Sequence, residues 1–278
     1  MEQISIFQAF LLALVQGITE FLPVSSSGNL VLFQQLFGVT GEQLTFTIVV
    51  HVASAIAIIF FFLDRLKRLS RQLWLPVLVG TIPAVLVALF FRSTVLEMFS
   101  NSKLVSVALL FTGLINLGIQ FVLAKRNTEK LPLAEQKGDE KVNVSDEEDK
   151  NDSVTLVQSF LIGIAQSIAI VPGISRSGST VFAGLLTGLS RKDAFEFSFL
   201  LAVPAIVGAT ILQVLTESNG TAIGLAEFIS LPYLVGFIGS FIASYGSLWL
   251  LKYMMERAQF WWFAVYCFSM GALGLFFS

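Results

Sequence analysis

The sequence predicts an all-α, polytopic membrane protein in which six transmembrane helices and two re-entrant helix pairs form an inverted-topology repeat. Three observations support this fold class. The 278-residue chain is 55% hydrophobic, with a mean hydropathy of +0.80, and only 13% of its residues are charged, about half the charged share of a soluble domain. Several apolar runs reach the length of a bilayer. Two polar stretches, residues 16–29 and 171–180, each lie between shorter apolar runs.

Six apolar runs are long enough to cross a bilayer, whose hydrocarbon core takes about 20 helical residues. They fall at residues 44–63, 74–92, 104–124, 194–216, 228–253 and 260–277. Four shorter runs flank the polar stretches, at residues 4–22, 29–38, 155–171 and 180–190. Because irregular backbone at membrane depth persists only where protein or a cavity surrounds it, these short runs predict two re-entrant helix pairs.

An internal repeat divides the chain. A shift of 150 residues aligns residues 8–16 with 158–166, and it places Ser25, Ser27 and Gly28 on Ser175, Ser177 and Gly178. We therefore predict a first repeat at residues 1–124, a linker at 125–153 and a second repeat at 154–278. The linker is rich in acidic residues and lysines and too polar to bury a core, which predicts a disordered segment.

Basic residues predict the orientation in the membrane. With six spans and two re-entrant pairs, most of them fall on one face, which the positive-inside rule makes cytoplasmic. They are Arg65, Lys67, Arg68, Arg71, Lys125, Arg126, Lys130, Arg191, Lys192, Lys252 and Arg257. The linker is then cytoplasmic, both termini lie outside, and the two re-entrant pairs enter from opposite sides and meet near the midplane.

The second polar stretch has the composition of an anion-binding site. Pro172 and Gly173 end one half-helix, and Gly178 lets backbone N–H groups turn toward a ligand at the start of the next. Arg176 adds a planar fork that matches phosphate oxygens, and Ser175, Ser177, Ser179 and Thr180 add hydroxyl donors. The alternative is a helix-packing corner of small residues with Arg176 extended to an interface.

The first polar stretch supplies the complementary chemistry. Ser25, Ser26 and Ser27 offer a hydroxyl nucleophile, and Glu20 is a candidate base or metal ligand with Gln16 on the same helix face. Because a carboxylate repels phosphate, a divalent cation, Mg²⁺ or Ca²⁺, held by Glu20 would reconcile the two. The alternative is structural: the serines cap a half-helix and Glu20 pairs with Arg176.

The remaining candidates for metal chemistry are few. The single His51 lies within the apolar run 44–63, where hydrogen bonding within the bundle is a commoner role than catalysis. Because the sequence has one histidine, it excludes a His-rich metal centre. Because Cys267 is its one cysteine, it also excludes a disulfide framework.

Residues 17–28 (GITEFLPVSSSG) and 172–180 (PGISRSGST) resemble the two signature motifs of the undecaprenyl-diphosphate phosphatase family of bacitracin-resistance type. The resemblance covers most of the chain outside the linker. It implies an integral phosphatase of the bacterial inner membrane, with its active site on the outer side. Such an enzyme converts the C55 isoprenoid diphosphate to its monophosphate and recycles this carrier lipid for peptidoglycan and related wall polymers.

By motif position, the resemblance assigns the catalytic roles. Glu20 is the acidic residue, Ser26 the nucleophile or a phosphate ligand, and Arg176 the phosphate clamp. The expected substrate-binding residues are Gln16, Ser25, Ser27, Gly28, Asn29, Ser175, Ser177 and Thr180.

Asn29 departs from the motif, which typically has His at this position. An amide hydrogen-bonds but does not carry a proton near neutral pH. Either Glu20, Ser26 and metal-bound water are sufficient for the reaction, or the chain is a weakened or repurposed member.

A second function remains open, because inverted repeats with broken helices are also transporter architecture. The alternative is a transporter or flippase for a polyprenyl phosphate. In either case we expect a polyprenyl lipid and the bilayer as partners, and no nucleic acid. A homodimer is compatible with the sequence, which does not determine the oligomeric state.

Overall fold

The computed structural model describes residues 4–37, 44–64, 71–135, 154–217 and 230–277. Within these ranges the chain forms helices and no strands, which confirms the all-α prediction. The eleven helices are α1 (Ile6–Phe21), α2 (Ser26–Leu36), α3 (Leu44–Phe61), α4 (Arg71–Phe90), α5 (Arg92–Phe99), α6 (Ser102–Glu135), α7 (Leu156–Ile168), α8 (Arg176–Leu186), α9 (Arg191–Glu217), α10 (Leu231–Arg257) and α11 (Trp261–Phe277).

Four of these helices have the length and composition to cross a membrane. Their apolar segments are Leu73–Phe90, Ser102–Arg126, Arg191–Leu212 and Leu231–Arg257, with mean hydropathies between 1.7 and 2.3. The other two predicted spans correspond to the shorter apolar helices Phe46–Phe61 and Trp261–Phe277. The chain is therefore a multi-pass membrane protein. The short helix α5 was not among the predicted elements.

The predicted polar stretches interrupt the helices where expected. The first break (residues 22–25) separates α1 from α2, and the second break (residues 169–175) separates α7 from α8. Both α1 and α7 begin with a capping box, formed by Ser5 with Gln8 and by Thr155 with Gln158. Local structure thus matches at equivalent positions of the sequence repeat.

Close helix contacts rely on small residues. Gly17 on α1 lies so near α10 that a Cβ there would come within 2.6 Å of the Ala243 Cβ and the Ser240 carbonyl oxygen. Gly163 on α7 lies equally close to the Gly80 carbonyl of α4. Such residues let helices approach where lipid offers no hydrophobic driving force. The same glycine contact therefore occurs between α1 and α10 and between α4 and α7.

The predicted linker begins later than its composition indicated. Helix α6 continues through Lys125 to Glu135, so residues 125–135 are helical where disorder was predicted. Residues 136–153 lie outside the described residues, as do the predicted cytoplasmic residues Arg65, Lys67 and Arg68. Within α6, Arg126 donates to the carbonyl oxygens of Leu185 (2.6 Å) and Leu189 (2.7 Å), which ties this helix to the end of α8.

Candidate active site

The two breaks meet in space, although they are far apart in sequence. Glu20 lies in the last turn of α1 and is buried, and Arg176 is the first residue of α8. The Arg176 Nη2 donates to Glu20 Oε1 at 3.1 Å. The predicted carboxylate and guanidinium therefore belong to one site, at the junction of the two halves of the chain.

The second oxygen of Glu20 gathers three further groups. Glu20 Oε2 accepts hydrogen bonds from Ser26 Oγ at 2.6 Å and from Gln16 Nε2 at 2.7 Å. His51 Nε2 lies 3.9 Å from the same oxygen, while its Nδ1 lies 2.8 Å from the carbonyl oxygen of Thr47. His51 thus hydrogen-bonds within its own helix, as expected, and also faces the site.

The first break presents Ser26 through a strained turn. Ser25 has φ of 63°, a left-handed conformation that is uncommon for residues other than glycine. Its side chain accepts a hydrogen bond from the Gly28 N–H at 3.3 Å, and it lies 3.3 Å from Ser27 Oγ. Strain of this kind persists where the surrounding structure enforces it, and it concentrates at functional sites.

Several side chains hold this break in place. Asn29, on α2, donates both N–H bonds of its amide, to Val24 O and to Ser25 O, each at 2.8 Å. Tyr266, on α11, donates its hydroxyl to Asn29 Oδ1 at 2.5 Å. Asn116, on α6, donates to the Pro23 carbonyl oxygen at 2.6 Å. The break is therefore bonded to two helices that are distant in sequence.

The hydroxyls of the second break are mostly engaged with the protein itself. Ser175 caps α8 through the Gly178 N–H at 3.2 Å, and Ser177 donates to the Leu22 carbonyl oxygen of the first break at 3.1 Å. Thr180 lies 2.5 Å from Ser198 Oγ and donates to the Arg176 carbonyl oxygen. These predicted substrate ligands thus connect and shape the breaks in this state of the protein.

Besides one atom of Asn116 and two of Gln166, three buried polar atoms near the breaks lack a hydrogen-bond partner among the described residues. They are Arg176 Nη1, Gln16 Oε1 and Ser179 Oγ. Burying a polar atom without a hydrogen-bond partner costs free energy. A ligand that bonds these atoms would therefore gain binding free energy at these positions. Arg176 Nη1 can donate to an anion, and Gln16 Oε1 can accept a bond or contact a cation.

Comparison with known proteins shows the family of the chain. The family model of the bacitracin resistance protein BacA matches residues 9–273. The chain belongs to the bacitracin resistance protein BacA family. It is 34% identical to an undecaprenyl-diphosphatase of Carboxydothermus hydrogenoformans over 95% of this chain and 94% of that protein. A second undecaprenyl-diphosphatase, from Rhodopirellula baltica, is also 34% identical, over 96% of both chains.

Sequence reasoning missed the helix residues that hold the breaks of this BacA-family chain. Thr112 accepts from the Ser175 N–H at 3.0 Å and donates to the Gly173 carbonyl oxygen at 2.8 Å. Thr112 and Asn116 lie one turn apart in an apolar span and are both fully buried. A buried polar pair within a membrane helix is a signal that could have found them.

The residues present can supply part of a divalent-cation site. Glu20 offers a carboxylate, and Gln16 Oε1 is an unpartnered oxygen beside it. Among the described residues no group of three His, Cys, Asp and Glu side chains forms a metal cluster. A cation here would need most of its oxygen ligands from phosphate and water, which is the usual arrangement for Mg²⁺ at phosphate sites.

Proposed function

We propose that this chain is an integral membrane phosphatase that hydrolyses undecaprenyl diphosphate to undecaprenyl phosphate and inorganic phosphate. The reaction returns the carrier lipid to cell-wall synthesis. The observation that carries the proposal is the convergence of Ser26, Glu20 and Arg176, which combines a hydroxyl, a proton acceptor and a phosphate-binding fork within one partly buried cluster. Full-length similarity to relatives named undecaprenyl-diphosphatase supports the same conclusion.

Arg176 is the proposed phosphate clamp. Its Nη2 is paired with Glu20, while its Nη1 is buried and unpartnered among the described residues. The diphosphate would take the free nitrogen and displace Glu20 from the other, giving the two parallel bonds that guanidinium forms with phosphate. Positive charge held in a buried site stabilises the charge on the phosphoryl group as it is transferred.

Ser26 and Glu20 are the proposed nucleophile and base. The Ser26 hydroxyl already donates to Glu20 Oε2 at 2.6 Å, so the proton has an acceptor when Ser26 Oγ attacks the terminal phosphorus. The bond from that phosphorus to the bridging oxygen breaks, and undecaprenyl phosphate leaves. Water then hydrolyses the phosphoserine. The competing assignment has water attack directly, with Ser26 as a phosphate ligand.

We also propose that Glu20, with Gln16 Oε1 beside it, holds Mg²⁺ or Ca²⁺ when the diphosphate is bound. The cation would supply charge neutralisation between the carboxylate and the phosphates. Gln16 has two roles in this proposal. Its amide nitrogen donates to Glu20, and its amide oxygen, which has no partner among the described residues, would contact the cation.

The membrane arrangement we propose is an inverted repeat with two re-entrant pairs, α1–α2 and α7–α8, whose breaks meet near the midplane. Matching capping boxes, matching glycine contacts and the contact between the breaks support it. By resemblance to its family, the protein would lie in the bacterial inner membrane with its active site facing outward, and the basic loops would place the linker in the cytoplasm. The homodimer stays a prediction, which the mass of the purified protein in detergent would test.

The test is phosphate release from undecaprenyl diphosphate by the purified full-length protein in detergent. We expect multiple turnovers by the wild type and none by Glu20→Gln, which keeps the shape of the side chain but removes its charge. The second candidate function is a transporter, because transporters also have broken helices in inverted repeats. A transporter would bind the lipid without releasing phosphate. Binding without release therefore refutes the phosphatase and supports the transporter.

A further inference from the structure

Asn29 uses both of its amide N–H groups within the protein, and its amide oxygen also has a donor there. Its two N–H groups bond the carbonyl oxygens of Val24 and Ser25, and its oxygen accepts from the Tyr266 hydroxyl. Its side chain is fully buried, with 0% of its surface exposed. A side chain in this position has no amide hydrogen left for substrate, and an amide carries no proton in the reaction.

The partners of Asn29 determine which way its amide faces. The two ends of an asparagine amide are nearly equal in shape, so their orientation depends on the partners around them. The carbonyl oxygens of Val24 and Ser25 can only accept, so they require the NH₂ group, and the Tyr266 hydroxyl then donates to Oδ1 at 2.5 Å from the α11 side. The NH₂ group then faces the first break, where two carbonyl oxygens accept from it.

The two carbonyl oxygens belong to the residues that set the position of Ser26. Ser25 has the left-handed φ of 63° and is followed by Ser26, whose Oγ lies 2.6 Å from Glu20 Oε2. We propose that Tyr266 and Asn29 form a positioning pair, which holds the strained first break so that the Ser26 hydroxyl stays on Glu20. This inference rests on the proposed phosphatase activity and goes beyond it, because it assigns a role to the last helix of the chain.

The pair also explains how a member of this family works with an amide at position 29. Where the family motif typically has a titratable His, Asn29 instead connects Tyr266 of α11 to the carbonyl oxygens of the first break through hydrogen bonds. Among the described residues neither side chain hydrogen-bonds Glu20 or Arg176, and the proposed clamp for the substrate charge is Arg176. Loss of the pair should therefore slow the chemical step more than it weakens substrate binding.

The experiment measures kcat and KM for phosphate release in Tyr266→Phe, Asn29→Ala and the double variant. Tyr266→Phe removes one hydroxyl and leaves Asn29 Oδ1 without its donor. We expect kcat to fall by about 10-fold to 100-fold with KM within about twofold, since a loosened reactive group costs rate rather than affinity. The matched control is Tyr245→Phe. It removes only the hydroxyl from a partly exposed ring on α10, which packs against Phe61 and Phe241. It should keep wild-type kcat.

The double variant tests whether the two residues act as one unit. If they do, Asn29→Ala with Tyr266→Phe is no slower than Asn29→Ala alone, whereas independent effects multiply. Multiplying effects, a wild-type kcat in either single variant, or a change confined to KM would overturn the proposal. Asn29→Ala carries the test alone if Tyr266→Phe does not yield folded protein. A wild type that releases no phosphate refutes the proposed function instead, so the two failures are distinct.

Discussion

Replacing Arg176 by Lys keeps the positive charge but removes the fork, and it should nearly abolish turnover. One guanidinium nitrogen lies 3.1 Å from Glu20 Oε1, and the other is buried and free among the described residues. A lysine has a single nitrogen, which can pair with Glu20 or with one phosphate oxygen but cannot reproduce the two parallel bonds. Removing one donor from a transition-state site costs about 2.7–4 kcal/mol, so we expect kcat to fall about 10²-fold to 10³-fold.

The assay is steady-state phosphate release by the purified variants in the same detergent. Arg257→Lys is the matched control: Arg257 is exposed at the end of α10, with its guanidinium carbon 4.3 Å from the centre of the Tyr253 ring. Its turnover should stay within about twofold of wild type, as is usual for surface substitutions. If Arg176→Lys also stays within that range, charge alone is sufficient and the clamp assignment is wrong.

Three further predictions concern the other groups of the site. Chelation of divalent cations should abolish turnover and added Mg²⁺ or Ca²⁺ should restore it; activity indifferent to chelator would return Glu20 to a metal-free role. Ser26→Ala should lower kcat by about 10³-fold or more, because only binding and electrostatic contributions remain without a nucleophile; a loss below about tenfold would favour attack by water. Asn29→His should lower the rate or leave it unchanged, with no new ionisation near pH 6.5, because an imidazole has too few N–H groups to replace both bonds to the first break. A gain of about 10²-fold to 10⁴-fold, typical of a restored general base, would show that the chain is an impaired member.

From the sequence, the two re-entrant pairs were predicted to meet near the midplane, and a pair between Glu20 and Arg176 was the structural alternative to a metal at Glu20; the structure shows that pair. Charged side chains are rare at membrane depth and usually pair or line a cavity, and the repeat aligns Arg176 with Ser26, six residues after Glu20. The helix breaks were also predictable, because proline, glycine and serine mark them directly. The capping residues Ser5 and Thr155 follow from the same local chemistry.

The residues that hold the breaks could not be assigned in the same way. Asn116 and Tyr266 bond a backbone carbonyl and an amide, and neither partner can be identified before the helices are placed. Their contacts span 93 and 237 residues of sequence. The composition of residues 125–135 was equally uninformative, because a polar segment that continues a long membrane helix can stay helical beyond the bilayer.

The resting ion pair explains why one carboxylate can serve both as the partner of Arg176 and as a base. An unpaired guanidinium in this buried junction would be costly, so Glu20 stabilises the site before substrate arrives. When phosphate oxygens take over Arg176, Glu20 Oε1 loses its cationic partner while Oε2 keeps the hydroxyl of Ser26. In the proposed reaction, the divalent cation would then take the place of Arg176 beside Glu20, so the carboxylate stays paired while its Oε2 accepts the proton of Ser26.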